Sequence, residues 1–338
     1  MHPVLFEIFG YQVRTYSVAM ALGFVVGLIL IRRRAPLERV DVDVALNAAV
    51  STIFGTIIGG RALFVITTWG DNFAGKPWYE ALKIWQGGLV FYGGFFGSII
   101  SVVAYLKYRR QAFGPVMDLI SPYVGLGLAI HRSLGCFMNG CCFGAPTDLP
   151  WGVHFPPDAP ATRLYGVGQA VHPTEIYLAL NGLFIFLILR WYRNRKVRQG
   201  EVFALLLALY AVGRFIVEFY RGDPVRGFVA QNQLFGLAVF VVGLVLFLFF
   251  TWKRLRAGQV AALMFVVAAA VMGFMGIYSD TSDVEQITPF STSQFLGFYV
   301  FATGLAMFLR ARYFGDPRPP DYGRPPLDAA PATANQLG

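Results

Sequence analysis

Long apolar runs separated by short polar loops repeat along most of the 338-residue chain. A helix that crosses a lipid bilayer needs about 20 consecutive, mostly apolar residues. By that rule the sequence predicts nine spanning helices, whose boundaries are loose by a few residues. They cover 16–31, 44–68, 89–106, 116–140, 173–192, 201–220, 232–252, 259–278 and 292–310. The expected fold class is therefore an all-α polytopic helical membrane protein.

The charges of the loops alternate along the chain, and this alternation predicts the orientation of the helices. The intervening loops are acidic, glycine-rich or proline-rich, whereas every second loop is basic. The basic loops lie at 32–39, 107–110, 190–199, 253–256 and 310–312. Because positively charged loops stay in the cytoplasm, the N-terminus is expected outside and the C-terminus in the cytoplasm.

Composition agrees with a membrane protein. Hydrophobic residues make up 56% of the chain and charged residues only 14%, too few to cover a soluble domain of this length. The net charge of +9 is accounted for by the basic loops, so no nucleic-acid partner is predicted.

Three regions are expected along the chain. Residues 1–252 form a membrane core with a small outer cap at 144–172, and residues 253–310 add two further spans. Residues 311–338 contain six prolines and few apolar residues after Phe314, which predicts a disordered cytoplasmic tail.

Ionisable side chains lie inside several predicted spans, where a buried charge costs several kcal/mol and commonly marks function. The predicted orientation places all of them in the outward half of the membrane. The set comprises Arg61 in span two, His131 and Arg132 in span four, and, at the outer ends of other spans, Tyr16, Tyr92, His172 and Glu175. Because separate parts of the chain reach one membrane depth, the sequence predicts a single polar site there.

Span six carries a polar stripe. Tyr210, Arg214, Glu218 and Arg221 are spaced four, four and three residues apart, so on a helix they fall within about 80° of one another. One interpretation is an intrahelical ion-pair ladder that neutralises itself. The other is an anion site, because two arginines against one glutamate leave a surplus positive charge that suits a phosphate group.

The three cysteines receive a plainer interpretation. Cys136, Cys141 and Cys142 are too few for a disulfide scaffold, and the sequence offers no nearby partners for metal binding or nucleophilic catalysis. We interpret them as small packing residues at the end of span four. No metal ion and no cofactor are predicted.

Seven short segments between about Tyr16 and Gln233 follow one another in a recognisable order. The most specific is YAVGRFIVEFYRGDP, with its tyrosine–arginine–glutamate–arginine spacing on a penultimate helix. The others are TYSVAMALGF, GGRALFV, GGLVFYGG, DLISP, GCFMNGCCFGAPTDLPWGV and HPTEIY. Together they resemble the bacterial prolipoprotein diacylglyceryl transferases.

The resemblance implies a multi-pass enzyme of the bacterial inner membrane. Such an enzyme moves diacylglyceryl from phosphatidylglycerol to the lipobox cysteine of a prolipoprotein signal peptide and releases glycerol phosphate. The family's functional positions match Tyr16 (an essential tyrosine), Arg214 (an essential arginine), Glu218 and Arg221 (its supporting pair), and Asn139 and Gly144 (a signature loop).

Three features depart from the family pattern. Tyr92 stands where many members have a histidine proposed as a base, and Ser133 fills the position of the signature arginine, with Arg132 one residue earlier. Spans eight and nine have no counterpart in the usual seven-span architecture. The family's serine–x–x–glutamine element corresponds either to AQNQ at 230–233 or to STSQ at 291–294.

These positions lead to a mechanistic hypothesis. The lipid phosphate is held by Arg214 and by Arg132 or Arg61, with Tyr210, Glu218 and Arg221 contributing to substrate binding. A base then ionises the substrate thiol, which attacks the glycerol carbon next to the phosphate. The candidate bases are Tyr92, Tyr16 and His131.

Two alternatives remain open at this stage. The departures at Ser133 and Tyr92 are compatible with a divergent member that is inactive or uses another acceptor. A lipid transporter or scaffold is the second alternative. It is disfavoured because no inverted repeat is evident and the polar residues lie outward of the midplane.

Overall fold

The computed structural model of the protein describes residues 4–8, 11–84, 88, 91–222, 292–314 and 316–319. The chain divides into two compact units. The first comprises Met1–Gly27 with Ser121–Arg318, and the second comprises Leu28–Ile120 with Pro319–Gly338. The predicted spans at 232–252 and 259–278, the AQNQ segment and most of the predicted tail lie outside the described residues.

The first unit contains the hairpin β1 (Val4–Ile8) and β2 (Tyr11–Arg14), which leads directly into α1 (Thr15–Arg34). The second unit contains α2 (Val42–Thr67) and α3 (Phe91–Tyr108). The first unit continues with α4 (Phe113–Ile130), α5 (Phe137–Asn139), β3 (Val153–His154), α6 (Pro160–Tyr165), β4 (Ala170–Val171), α7 (Thr174–Arg193), α8 (Glu201–Glu218) and α9 (Thr292–Phe314). Both α1 and α4 run from one unit into the other.

Seven of the nine predicted spans fall on described helices, with ends within about four residues of the prediction. Within the described part of the chain, four stretches are long and apolar enough to cross a membrane. These are Thr15–Glu38, Val42–Ile66, Phe113–Asn139 and Thr174–Arg193. The sequence also predicts a spanning helix at the position of α8, but this helix carries three charged residues among its 18. The protein is thus a mostly helical membrane protein.

Two small antiparallel sheets correct the purely helical prediction. In the N-terminal hairpin Glu7 pairs with Gln12 and Ile8 with Tyr11. The second sheet pairs Val153 with Val171. The strands have two to five residues. They escape a search for 20-residue apolar runs because short hairpins alternate their side chains with a period of two residues.

Glycines allow the two helices of the second unit to pack closely. A Cβ atom on Gly59 of α2 would lie 2.8 Å from the Cα of Gly97 on α3, which leaves no room for a side chain there. The Ser101 hydroxyl group of α3 donates a hydrogen bond to the carbonyl of Ser51 on α2 at 2.8 Å. Small residues and a hydroxyl–carbonyl bond are typical of helix contacts in lipid.

In the first unit, α8 packs against both α7 and α9. Gly213 of α8 faces the Asn181 side chain of α7, and a Cβ at this position would collide with its amide group. On the other side, a Cβ on Gly304 of α9 would lie 2.8 Å from the backbone nitrogen of Ala208. These close approaches fix the rotation of α8 about its own axis, and thereby the direction of its polar stripe.

A fully buried glutamate ties the start of α8 to both neighbouring helices. Glu201 accepts hydrogen bonds from the Tyr192 hydroxyl at 2.7 Å and from the Val197 and Arg198 backbone N–H groups at 3.2 Å. Arg312 of α9 lies 3.6 Å away. A buried carboxylate with several donors is a satisfied structural group, so Glu201 anchors the end of the bundle opposite to Arg214.

The segment predicted as an outer cap, together with the preceding Phe143, has a small apolar core built from Phe143, Phe155, Ala159, Ala161 and Val171. The Tyr165 hydroxyl group, at the end of α6, donates a hydrogen bond to the carbonyl of Gly222 at 2.5 Å. The cap is therefore fastened to the turn that follows α8.

Candidate active site

Arg132 lies in a π-helical segment, His131–Cys136, that joins α4 to α5. In this segment hydrogen bonds reach back five residues rather than four, as in the bond from the Phe137 N–H to the Arg132 carbonyl. The wider turn accommodates one extra residue, so the residues before it are rotated relative to those after it. A rotation of this kind is needed for Arg132 to replace an arginine expected one residue later. The Ser133 hydroxyl group bonds the Ala129 carbonyl at 2.8 Å, so Ser133 is satisfied by its own helix.

The guanidinium group of Arg132 contacts two thiols. Its Nη1 atom lies 3.6 Å from the sulfur of Cys136 and 3.5 Å from the sulfur of Cys142. The sulfur of Cys141 belongs to the same group, and the three sulfurs all lie within 4.8 Å of one another. Residues that the sequence analysis assigned to packing therefore form a compact thiol cluster around a predicted catalytic arginine.

A Schellman motif brings these thiols together. Gly140 ends α5 with a φ of 65°, and the Cys141 N–H bonds the Cys136 carbonyl at 3.3 Å. This bond connects the two positions of the motif whose side chains commonly touch. The predicted site residue Asn139 directly precedes Gly140.

Tyr16 and His131, two of the predicted bases, lie in direct contact. Their rings meet edge to face with centroids 4.7 Å apart. Tyr16 is close enough to Cys136 and Arg132 to interact with them electrostatically. The Nε2 atom of His131 is buried and has no hydrogen-bonding partner among the described residues. Both base candidates thus lie beside the thiol cluster.

The polar stripe of α8 ends sooner than the sequence predicts. The helix stops at Glu218, and Arg221 follows in a tight turn in which its N–H bonds the Glu218 carbonyl at 3.3 Å. Arg214 still forms an ion pair with Glu218, and the Nε atom of Arg221 lies 3.8 Å from the same carboxylate. The ion-pair ladder is therefore present, and it carries one more positive charge than negative.

Gly144 holds the turn that carries Arg221. The two residues form an antiparallel bridge, and the N–H of Gly144 bonds the His172 carbonyl at 2.9 Å. A Cβ on Gly144 would lie 2.5 Å from that carbonyl oxygen and 2.6 Å from the oxygen of Tyr220. The signature loop and the end of α8 are thereby locked together through a position where only glycine fits.

Electrostatic contacts join these parts into one constellation within the first unit. Arg132 interacts with Tyr210 of α8, and Cys142 interacts with Arg221. Glu175, in the first turn of α7, is fully buried and interacts with Cys142 and both of these arginines. Neither of its carboxylate oxygens has a hydrogen-bonding partner among the described residues. The sequence analysis placed Glu175 at the depth of the polar site but gave it no catalytic or binding role.

Arg61 and Tyr92 belong to the second unit. The guanidinium group of Arg61 donates to the carbonyls of Ala81 at 2.7 Å, Glu80 at 3.0 Å and Gly88 at 3.3 Å. These bonds tie α2 to the backbone of Glu80, Ala81 and Gly88, and the phosphate contact considered for Arg61 stays a prediction. Tyr92 lies in the first turn of α3, and its side chain is outside the described part of the structure.

The thiol of Cys142 is poised to ionise. Its pKa is lowered because the thiols of Cys136 and Cys141 donate hydrogen bonds to its thiolate, and because the guanidinium groups of Arg132 and Arg221 attract that charge. Burial opposes this effect without outweighing it.

We therefore predict that the rate at which iodoacetamide alkylates Cys142 falls less steeply between pH 8 and pH 6 in the folded, metal-free protein than in the unfolded protein. A thiol of ordinary pKa, about 8.5, would react about 75-fold more slowly at pH 6. Peptide mass spectrometry after timed quenching gives the rate at Cys142, and the detergent-unfolded protein serves as the control. An equally steep pH dependence in the folded and unfolded states would contradict the prediction.

Comparison with known proteins decides the family. The model of the prolipoprotein diacylglyceryl transferase family matches residues 3–275 of the chain. The chain belongs to this family. A relative from Clostridium tetani, named phosphatidylglycerol–prolipoprotein diacylglyceryl transferase, is 37% identical over 252 residues, covering 73% of this chain and 97% of the relative. Relatives of the same name from Vibrio cholerae (33% identical, covering 77% of this chain and 95% of the relative) and Finegoldia magna (32%, covering 73% and 94%) are similar.

Membership of the prolipoprotein diacylglyceryl transferase family confirms the resemblance drawn from the sequence motifs. Sequence reasoning missed the thiol cluster, which a C-x4-C-C spacing around a helix-ending glycine could have indicated. It also left the serine–x–x–glutamine element undecided. In the structure, Gln294 of α9 is buried, and its Nε2 atom donates to the Phe215 carbonyl at 3.4 Å, so the glutamine of STSQ lies against the helix turn that carries Arg214.

Proposed function

We propose that this protein transfers the diacylglyceryl group of phosphatidylglycerol to the thiol of a lipobox cysteine in a prolipoprotein and releases glycerol phosphate. The observation that carries the proposal is the Arg214–Glu218–Arg221 ion-pair ladder at the end of α8, together with Cys142, which interacts with both Arg221 and Arg132. Family membership and the names of the relatives support the same reaction.

The charge balance of the site suits the leaving group. A phosphodiester carries one negative charge, and a second develops when the bond between the glycerol carbon and the phosphate oxygen breaks. The Arg214–Glu218–Arg221 ladder has two guanidinium groups and one carboxylate, and Arg132 interacts with Tyr210 on the same helix. Fixed cations in a low-dielectric site stabilise such developing charge strongly, so the ladder serves the transition state more than the bound lipid.

The other predicted residues receive roles around this centre. Arg214 holds the phosphate, and Tyr210, Glu218 and Arg221 orient it. Asn139 and Gly144 shape the signature loop. Tyr16 and His131 are the base candidates that lie beside the thiols, and Tyr92 remains a third.

The membrane arrangement belongs to the same proposal. We place the chain in the bacterial inner membrane with nine spans, the N-terminus outside and the C-terminus in the cytoplasm. Residues 1–252 form the transferase core, 253–310 supply two further spans, and 311–338 form a cytoplasmic tail. The basic loops and the lengths of the described helices support this topology.

The test is transfer by the purified full-length protein in phosphatidylglycerol vesicles with a synthetic lipobox peptide. We expect a diacylglyceryl thioether on the peptide cysteine and an equal amount of released glycerol phosphate. A peptide with serine in place of the cysteine, and vesicles of phosphatidylethanolamine alone, are the controls. Absence of both products from folded protein would overturn the proposal. Transfer to a different acceptor would support the altered-acceptor alternative.

A further inference from the structure

The thiol cluster has the composition of a metal site. Cys136 is almost fully buried and Cys141 and Cys142 are half-buried, with all three sulfurs within 4.8 Å of one another. Close by, Glu175 is fully buried and both of its oxygens are without hydrogen-bonding partners in the described part of the chain. Packing alone explains neither three converging soft ligands nor an unsatisfied carboxylate beside them.

We propose that Cys136, Cys141 and Cys142 bind one thiophilic divalent cation of the zinc class, and that its fourth coordination position takes the thiol of the substrate cysteine. The second half of this proposal rests on the proposed function.

The geometry suits such an ion. Zinc–sulfur bonds are about 2.3 Å long, so the sulfurs of a tetrahedral site lie about 3.8 Å apart. Sulfurs within 4.8 Å of one another reach that arrangement by side-chain adjustments of about 1 Å. Three protein ligands with one open position is the pattern of catalytic zinc, whereas structural sites have four protein ligands.

The charges also suit the ion. Three thiolates and one divalent cation carry a net charge of −1, which is costly to bury beside a membrane core. Arg132 supplies the compensating positive charge, because its Nη1 atom already lies 3.5 Å and 3.6 Å from two of the sulfurs. Donors to ligand sulfurs are a common feature around bound metals and tune their charge.

Coordination to the cation would take the place of a general base in ionising the substrate thiol. A thiol that coordinates such a cation loses its proton outright, so the substrate cysteine enters as a thiolate and its proton passes to water. The sulfur then forms a bond to the glycerol carbon, and the carbon–oxygen bond to phosphate breaks with its electron pair leaving on glycerol phosphate. These reaction steps do not require a histidine at the position of Tyr92.

Cobalt(II) provides a test that does not depend on activity. The full-length protein is stripped with chelator, reduced and titrated with cobalt(II) under argon. We expect one cobalt per chain, with sulfur-to-cobalt charge-transfer absorption and the intense visible bands of a tetrahedral site. Adding the lipobox peptide should change the visible bands, and the peptide with serine in place of cysteine should leave them unchanged.

Two variants complete the experiment. The triple variant Cys136→Ser, Cys141→Ser, Cys142→Ser should lose the charge-transfer absorption, whereas Met138→Leu, which removes the thioether of a residue in α5, should keep it. A folded wild-type protein that takes up no cobalt, or a triple variant that keeps the bands, overturns the metal site. If the cobalt bands do not change when the cysteine peptide is added, the substrate thiol does not occupy the fourth coordination position. Full transfer by metal-free protein refutes this inference and leaves the proposed function standing. A metal-loaded protein without transfer activity refutes the proposed function but keeps the site.

Discussion

Replacing Arg214 with lysine is expected to lower kcat by about 100-fold or more, because one preorganised donor to a developing oxyanion contributes about 10²- to 10³-fold. Lysine keeps the positive charge and can still pair with Glu218, which is 4% exposed at its side chain. It loses the planar fork that binds two phosphate oxygens at once. The effect should therefore fall mainly on kcat, and less on the KM for phosphatidylglycerol.

Release of glycerol phosphate from vesicles of varied phosphatidylglycerol content separates kcat from KM. Arg190→Lys is the matched control. This residue lies 16 positions beyond Thr174 on α7, about 24 Å along the helix from the end that contacts the thiol loop. Its substitution should leave both constants within about twofold. If Arg214→Lys retains wild-type kcat in folded protein, Arg214 does not hold the phosphate.

Periodic features of the candidate site could be derived from the sequence, whereas most contacts between its side chains could not. Charge in the loops and ionisable residues in apolar helices are patterns of residue type and spacing. Of the residues that these patterns grouped, Tyr16, His131, Arg132 and Arg214 lie in the first unit, whereas Arg61 and Tyr92 lie in the second. Helical spacing also predicted that Glu218 would pair with Arg214. Such local and periodic features depend on few long-range contacts, so they can be derived from the sequence.

Non-helical backbone explains most of what could not be predicted. The π-helical turn changes the register of Arg132, and the left-handed Gly140 brings Cys136 and Cys141 together. Both depend on hydrogen bonds that reach five residues back, which a uniform 100° wheel does not contain. The sequence also cannot show which donors of Arg61 are already occupied, and these donors are satisfied by carbonyls of the second unit.

Replacing Gly144 with alanine is expected to abolish most activity, with a loss of about 100-fold, although Gly144 has no side chain to act on the substrate. The new Cβ would lie 2.6 Å from the Tyr220 carbonyl oxygen, closer than real Cβ atoms come to such a group. The carbonyl oxygens of Tyr220 and His172 are backbone atoms, and the Cβ of His172 is fixed to the backbone, so none of these neighbours can move aside as the end of a flexible side chain would. The bridge to Arg221 and the bond from the Ala145 N–H to Tyr220, now 2.8 Å, must therefore lengthen.

That displacement separates Arg221 from Glu218 and from the thiol loop, which removes a charge from the ladder without removing the residue. Overpacking of this kind costs about 1–3 kcal/mol of stability, so thermal unfolding in detergent should show a folded protein of lower midpoint. Gly27→Ala is the control, since a Cβ there meets nothing within 4 Å on α1 and should change neither activity nor midpoint. If the Gly144→Ala protein is less stable but keeps its turnover, the Gly144–Arg221 bridge stabilises the fold but does not position Arg221 for catalysis. If both are retained, the Gly144–Arg221 bridge is not a close approach that requires glycine.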